Sequence, residues 1–280
     1  MHTIAPRDRR LDADDLRRLA ASIRLEALDM VAIEGFGYLG QALSSAEQFA
    51  VLFGNAIRPG HDRFVLSPGH YAVVMYAAAA RVGLLEPEEL ESYGADGALL
   101  EAISTERTPI ADLACGSLGQ GLSGAVGFAL AARLAGEDRR AFAFLSDGEL
   151  EEGQVWEAAM FAAHHRVGRL VVVLDANASQ VDGPIESVTT IEPIAAKWEA
   201  FGWHVADVDG HDAAAVDAAV EGAIAEESRP SVVIARTDIF GRLRCIPQSV
   251  DGHFIKLDGD LRRAIEDELV AVIEEAGTDA

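Results

Sequence analysis

Apolar residues at Leu16, Leu19, Ile23, Leu25 and Leu28 recur at helical spacing through residues 11–33, and the stretch GFGYLG at 35–40 breaks the pattern. The spacing predicts a helix ending near Glu34. Beyond it, short β-like runs alternate with helical stretches: RFVL, IADLAC, RAFAFLS, LVVVLDA, GWHVADV and SVVIART. Runs of this kind separated by helices predict βαβ units, and hence an α/β fold in which a parallel sheet is flanked by helices on both faces. No internal repeat or low-complexity linker interrupts the 280 residues, which read as a single domain, 1–280. From about residue 255 the chain reads as a C-terminal tail, with 258–276 a solvated amphipathic helix.

Half of the residues are hydrophobic, but much of that share is alanine, so the expected core is closely packed helices against a sheet. The balance of 23 basic and 46 acidic residues gives a formal charge of −23. Such a surface repels phosphate backbones and anionic membranes, which argues against nucleic-acid and lipid partners. The charged start, MHTIAPRDRRLDADD, has no apolar leader core, and no stretch offers about 18 uninterrupted apolar residues. The expectation is a soluble, cytoplasmic protein. Cys115 and Cys245 lie far apart without a CxxC partner, so zinc and redox-motif readings have no support and both read as ordinary thiols.

One stretch resists a surface reading. SDGELEEGQVWEAAMFAAHH, 146–165, sets Asp147, Glu149, Glu151 and Glu152 within six positions at the mouth of an apolar helix. Repulsion makes that costly unless a cation, a helix N-terminus or a proton-sharing partner takes up the charge. Around it the pattern is strand, acidic turn, helix, strand, polar turn. A right-handed crossover places both turns at the carboxyl edge of the sheet, so Asp147 and Asn177 face one crevice. A carboxylate, an amide oxygen and a carbonyl of the following turn form a hard-oxygen set suited to Mg²⁺ and a diphosphate. Turn chemistry alone accounts for each of these residues taken singly; their joint placement after consecutive strands weighs against that reading. CGSLGQGLSGAVGFALAARLAG opens a helix with Gly116, Gly119 and Gly121, where backbone N–H groups can approach an anion. It matches neither nucleotide fingerprint, and close helix packing explains it about as well. His70 follows a Pro-Gly turn at a helix start, a position that favours a neutral ring.

Taken together, DRFVLSPGH at 62–70, GSLGQGLS at 116–123, SDGELEEGQVWEAAMFAAHH at 146–165, LDANASQVDG at 174–183 and GWHVADVDGHD at 202–212 resemble the N-terminal, diphosphate-binding half of transketolase and its thiamine-diphosphate relatives. The resemblance runs from about residue 15 to about residue 255 and implies that Asp147, Asn177 and the Ser179 carbonyl bind Mg²⁺. It implies cofactor contacts from His70, Gly116, Ser117, Leu118, Asp147, Gly148, Glu149, Asn177 and Val181. It also implies that Glu152 and Glu157 match acids that share protons across a subunit interface with the glutamate activating the aminopyrimidine ring. For Glu149 and Glu151 as charges, a favourable place at the helix N-terminus is the simpler reading. Three departures stand out: the family's GDG appears as Ser146-Asp147-Gly148 and its GHPG as Gly35-Phe36-Gly37-Tyr38, and a histidine-proline segment is missing from EAISTERTPIADLAC. A late histidine-glycine reads Asp251-Gly252-His253, where a one-residue shift would let His253 substitute as a catalytic histidine.

A full transketolase carries pyrimidine-binding and C-terminal domains for which 280 residues leave no room. The resemblance therefore implies one subunit of a split enzyme that moves a two-carbon ketol or acyl unit, active only with a second subunit carrying those domains, as an α2β2 heterotetramer. Two other readings stay open at this point: a subunit of a 2-oxo acid decarboxylase, dehydrogenase or C–C ligase, and a non-catalytic regulatory subunit that kept the fold.

Overall fold

The computed structural model describes residues 9–278; the first eight residues of the charged N-terminal stretch lie outside the described residues. Helix α1 (Ala13–Glu34) starts at an Asp12–Asp15 capping box and stops at Gly35 in the left-handed conformation, where the apolar spacing predicts its end. The short strand β1 (Phe36–Gly37) leads into α2 (Leu39–Val51), which runs on into a π-helical turn, Leu52–Ala56. Then come β2 (Arg63–Leu66), α3 (Ala72–Arg81), β3 (Leu113–Ala114), α4 (Gly121–Ala135), β4 (Ala141–Ser146), α5 (Gly153–His164) and β5 (Leu170–Ala176). A small hairpin of β6 (Ser179–Gln180) and β7 (Gly183–Pro184) is followed by the turn of helix α6 (Ile185–Val188) and by α7 (Ile194–Phe201). The chain closes with β8 (His204–Asp209), α8 (Ala213–Ala225), β9 (Ser231–Arg236), β10 (Ile255–Lys256) and α9 (Gly259–Thr278).

Six strands form one parallel sheet in the order β3-β2-β4-β5-β9-β8. The two central strands are buried along their whole length, which is why both read as near-continuous apolar runs rather than as alternating ones. Alternation survives in direction instead. Phe142 and Phe144 point to a core shared with α1, α2, α3 and α8, while Ala141, Ala143 and Leu145 point to a second core under α4, α5 and α7. The alanines that dominate the composition let those helices approach the sheet closely.

The segment expected as a tail from about 255 is bound into the domain. Ile255 is buried and pairs with Gly37 across β1 and β10, and Ile265 and Leu269 of α9 pack into the core that α1 covers. Arg262 adds an ion pair to Asp29 of α1. One consequence bears on function: the pairing of β1 with β10 brings the loop before Ile255, which carries His253, over the carboxyl edge of the sheet.

Candidate active site

Strands β4 and β5 run in register, with Ser146 opposite Asp175, so the residues just beyond them leave the sheet at one level. Asp147 is 2% exposed. Its Oδ1 accepts from Gly148 N at 2.9 Å and its Oδ2 from Ala178 N at 2.6 Å, while its own N–H donates to the Asp175 carbonyl at 3.0 Å. Asn177 donates both amide hydrogens, to Asp175 Oδ2 at 2.9 Å and to Tyr71 Oη at 3.0 Å. The orientation of the amide is thereby fixed, and Oδ1, which accepts from Ser179 N at 2.9 Å, keeps a second lone pair. The two turns leave the sheet together, but Asp147 and Asn177 are both buried and lie behind the lining of the cleft that opens there.

Asp175 was not foreseen. It is fully buried and accepts from Ser44 Oγ (2.6 Å), Tyr71 Oη (2.9 Å), Asn177 Nδ2 (2.9 Å) and Thr237 Oγ1 (2.5 Å). Its signal in the sequence is an aspartate inside the otherwise apolar LVVVLDA, because a charge in a strand buried on both faces needs several donors. Burial, reinforced by the Asp175 carboxylate, pushes Asp147 up to about 8. The Asp147 carboxylate accepts from backbone N–H groups and the Asp175 carboxylate from side chains, with no cationic side chain on either, so the oxygen set is compatible with a bound cation. Among the described residues no group of three or more His, Cys, Asp or Glu is arranged to hold a metal. The fit is therefore to one carboxylate completed by amide and carbonyl oxygens, the preference of Mg²⁺ rather than of zinc.

The glycine-rich turn is tied to the same edge through Glu149. This side chain is fully buried: its Oε1 accepts from Gly119 N at 2.6 Å and from the Ser67 hydroxyl, which in turn accepts from Gly121 N at 3.0 Å. The reading of Glu149 as a charge merely facing a helix N-terminus is thus corrected. Burial pushes it up to about 7 even against these donors. Gly121 is obligatory here, since a Cβ would fall 2.4 Å from Ser67 Cβ, whereas Gly116 has open space in front of it.

A cleft of about 510 Å³ opens over this edge. It brings together His70, Gly116, Leu118, Gly148, Ser179, Val181 and His253. Ser117 is exposed beside the cleft, not in its lining. Glu152, just before α5, and Glu157, on it, are exposed outside the lining; Glu152 stands at the N-cap position without a side-chain capping bond and packs by its Cβ against Gly119. His70 is held down at about 3 by burial and, secondarily, by His253, whose ring lies 5.0 Å away. The ring is neutral, as its position after the Pro-Gly turn suggests, but desolvation is the main cause.

Tyr38 also lines the cleft, 5.5 Å from the His70 ring and 5.2 Å from Phe254. Phe36, which stands at the histidine position of the GHPG segment, is half-exposed and meets Phe254 in a tilted ring contact at 5.4 Å, outside the lining. The aromatic ring that the GFGY segment offers the site is Tyr38.

A parallel α/β sheet whose carboxyl edge gathers buried carboxylate and amide oxygens, a glycine-rich turn and a neutral histidine pair around one cleft has the layout of a cofactor site. The family model described as transketolase, thiamine diphosphate binding domain, matches residues 16–253, and the chain belongs to that family. It is 38% identical over 249 residues to a putative uncharacterized transketolase family protein of Sinorhizobium fredii, covering 85% of this chain and 89% of that one. It is 36% identical over 265 residues to the 6-deoxy-6-sulfo-D-fructose transketolase subunit SqwG of Clostridium sp. (strain MSTE9), covering 91% and 96%. The crystal structure of a Pichia stipitis transketolase mutant superposes with a TM-score of 0.80 at 29% identity, covering 92% of this chain but 41% of that one. Human transketolase, 34% identical, is likewise matched over 37% of its length.

Proposed function

We propose that this chain is the diphosphate-binding subunit of a two-chain transketolase-like enzyme that transfers a two-carbon ketol unit. The single observation that carries the reading is the Asp147–Asn177–Ser179 edge, with its fixed amide and its buried carboxylate without a cationic partner. In it, Asp147, Asn177 Oδ1 and the Ser179 carbonyl hold Mg²⁺, and the start of the glycine turn, at Gly116 and Leu118, faces the diphosphate. When bound, thiamine diphosphate supplies the electron sink for breaking and forming the carbon–carbon bond. The neutral His70 and His253 face substrate hydroxyls as hydrogen-bonding partners, and Ile103 and Phe254 exclude water from that side of the cleft.

The division into two chains is supported by lengths. The chain spans nearly all of the short relatives, one of them named as a subunit, and about two fifths of full-length transketolases. It is also supported by an apolar outer face on α4 and α5, where Leu134, Met160 and Phe161 are 86%, 57% and 47% exposed beside Glu157. A partner carrying the pyrimidine-binding domain and the activating glutamate would cover that face and complete an α2β2 assembly. Among the described residues no helix is long and apolar enough to cross a membrane, which suits a cytoplasmic enzyme.

The test is calorimetry of thiamine diphosphate with the assembled enzyme, with and without Mg²⁺, together with turnover of a ketose donor. Magnesium-dependent binding that requires Asp147 supports the reading; equal affinity without the metal, or binding with no ketol transfer to any aldehyde acceptor, would sink it.

A further inference from the structure

We infer that Gln41 is a positioning residue that holds His253 with its proton on Nδ1, leaving Nε2 as the acceptor for a substrate hydroxyl. The role of the acceptor rests on the transketolase reading of the cleft; the state of the ring does not.

Gln41 lies in the first turn of α2 and is 1% exposed. One end of its amide sits 3.1 Å from the His253 carbonyl and 3.0 Å from the Tyr38 carbonyl. Carbonyl oxygens only accept, so that end is the NH₂ group. The other end, the oxygen, then lies 3.0 Å from His253 Nδ1. An amide oxygen has nothing to donate, so Nδ1 carries the hydrogen. Among the described residues nothing pairs with Nε2, and the side chain lines the cleft.

The contact is enforced by the backbone. A Cβ on Gly40 would fall 1.8 Å from the Gly252 carbonyl oxygen, and one on Gly252 would fall 2.8 Å from Ile239, so the start of α2 and the loop of His253 are clamped together at two glycines. The groups facing the ring are His70 at 5.0 Å, Tyr38 at 5.9 Å and the Asp251 carboxylate, which accepts from His253 N at 2.9 Å. Burial lowers the His253 pKa and Asp251 only partly opposes it, so the ring is neutral near pH 7. In a neutral ring a proton on Nδ1 makes Nε2 the lone-pair nitrogen.

If Gln41 were only a latch for the loop, removing it would loosen the loop without choosing a tautomer. The decisive readout is therefore the tautomer itself, taken from two-bond proton–nitrogen correlations of the full-length chain labelled with ¹⁵N-histidine, with His253→Gln assigning the resonance. The parent is expected to show Nδ1 protonated and Nε2 bare. Gln41→Met, close in shape but with no acceptor, is expected to move the proton toward Nε2. In the assembled enzyme it should also lower kcat/KM roughly tenfold, the worth of about one hydrogen bond, with cofactor affinity unchanged. Gln41→Glu keeps an acceptor and should keep a proton on Nδ1; it decides the matter if the methionine variant does not fold. A bare Nδ1 in the parent or in Gln41→Glu, or an unmoved proton in Gln41→Met, overturns the inference. Because the spectra need no turnover, a failure of the transketolase reading would show separately, as an inactive complex with the tautomer intact.

Discussion

Replacing Asp175 tests whether the carboxyl edge is organised by a residue that never touches the substrate. Asp175→Ala removes the acceptor of four hydrogen bonds, three of them from the buried Ser44, Tyr71 and Asn177. Leaving a buried donor unpaired costs about 1–3 kcal/mol. Against this, the variant also relieves a carboxylate that burial holds above its ordinary pKa, and Thr237 at the partly buried end can turn to water. The expected net loss is about 3–5 kcal/mol, the range for breaking a buried charged network, and a large part of the roughly 5–15 kcal/mol that holds a domain folded. Asp175→Asn keeps a carbonyl oxygen where the three buried donors meet and lets the Thr237 hydroxyl rotate to accept, so it should cost about 1 kcal/mol, a typical net hydrogen bond. Urea denaturation followed by circular dichroism measures both. With Asn177 no longer held from behind, the alanine variant should also retain Mg²⁺ and cofactor roughly 10–100-fold less well. An alanine variant within about 1 kcal/mol of the parent, or equal to the asparagine variant in cost, would refute the hub.

In the assembled enzyme, Asp147→Ala should abolish Mg²⁺-dependent retention of thiamine diphosphate and leave the fold intact; equal calorimetric affinity in variant and parent contradicts it. Burial raises the Glu47 carboxyl, but the Arg24 guanidinium and His211 outweigh it and hold it at about 2, below its ordinary 4.5, so its contribution, on the order of 3 kcal/mol, is present above pH 4.5 and lost as the pH falls toward 2. Glu47→Gln should flatten the stability profile in that window, and parallel profiles would refute the assignment. Xylulose 5-phosphate should be a poor donor, since Ile103 and Phe254 in the cleft lining cannot hydrogen-bond a substrate hydroxyl; steady-state turnover at ordinary transketolase efficiency decides against this. The chain alone should be inactive and self-associating, and Phe161→Glu should weaken capture of the partner at least tenfold by light scattering, whereas full turnover by the chain alone removes the two-chain reading.

Much of the fold is legible in the chain because its strong signals are local. Helix α1 carries a regular apolar stripe, a capping box and a stop glycine, and the central strands are runs of branched and aromatic residues that suit nothing but a doubly covered sheet. The pairings of β1 with β10 are not legible, since two-residue strands have no period to read. Position in the GFGY segment alone therefore puts Phe36 in the place of the family histidine. In the strand the two flanks of Gly37 part company: Phe36 goes outward onto Phe254, and Tyr38, past the strand, turns into the cleft. Gln41 was invisible for a related reason, because its partner lies 212 residues away.

Crowding in sequence also misleads about crowding in space. The acids from 147 to 152 span a single turn of 3₁₀ helix, Gly148–Glu151, and about three residues per turn send neighbours in directions roughly 120° apart. Asp147 stays at the sheet edge on backbone N–H groups, Glu149 is driven inward beneath the glycine turn, Glu151 reaches Gln180 at 3.1 Å, and Glu152 faces outward at the start of α5. The repulsion that the sequence suggests is thus largely removed by geometry. What geometry cannot remove is the burial of Asp147 next to Asp175, both without a cationic side chain; burial raises both carboxyls above their ordinary range, and the cation proposed above is what would let the edge stay charged.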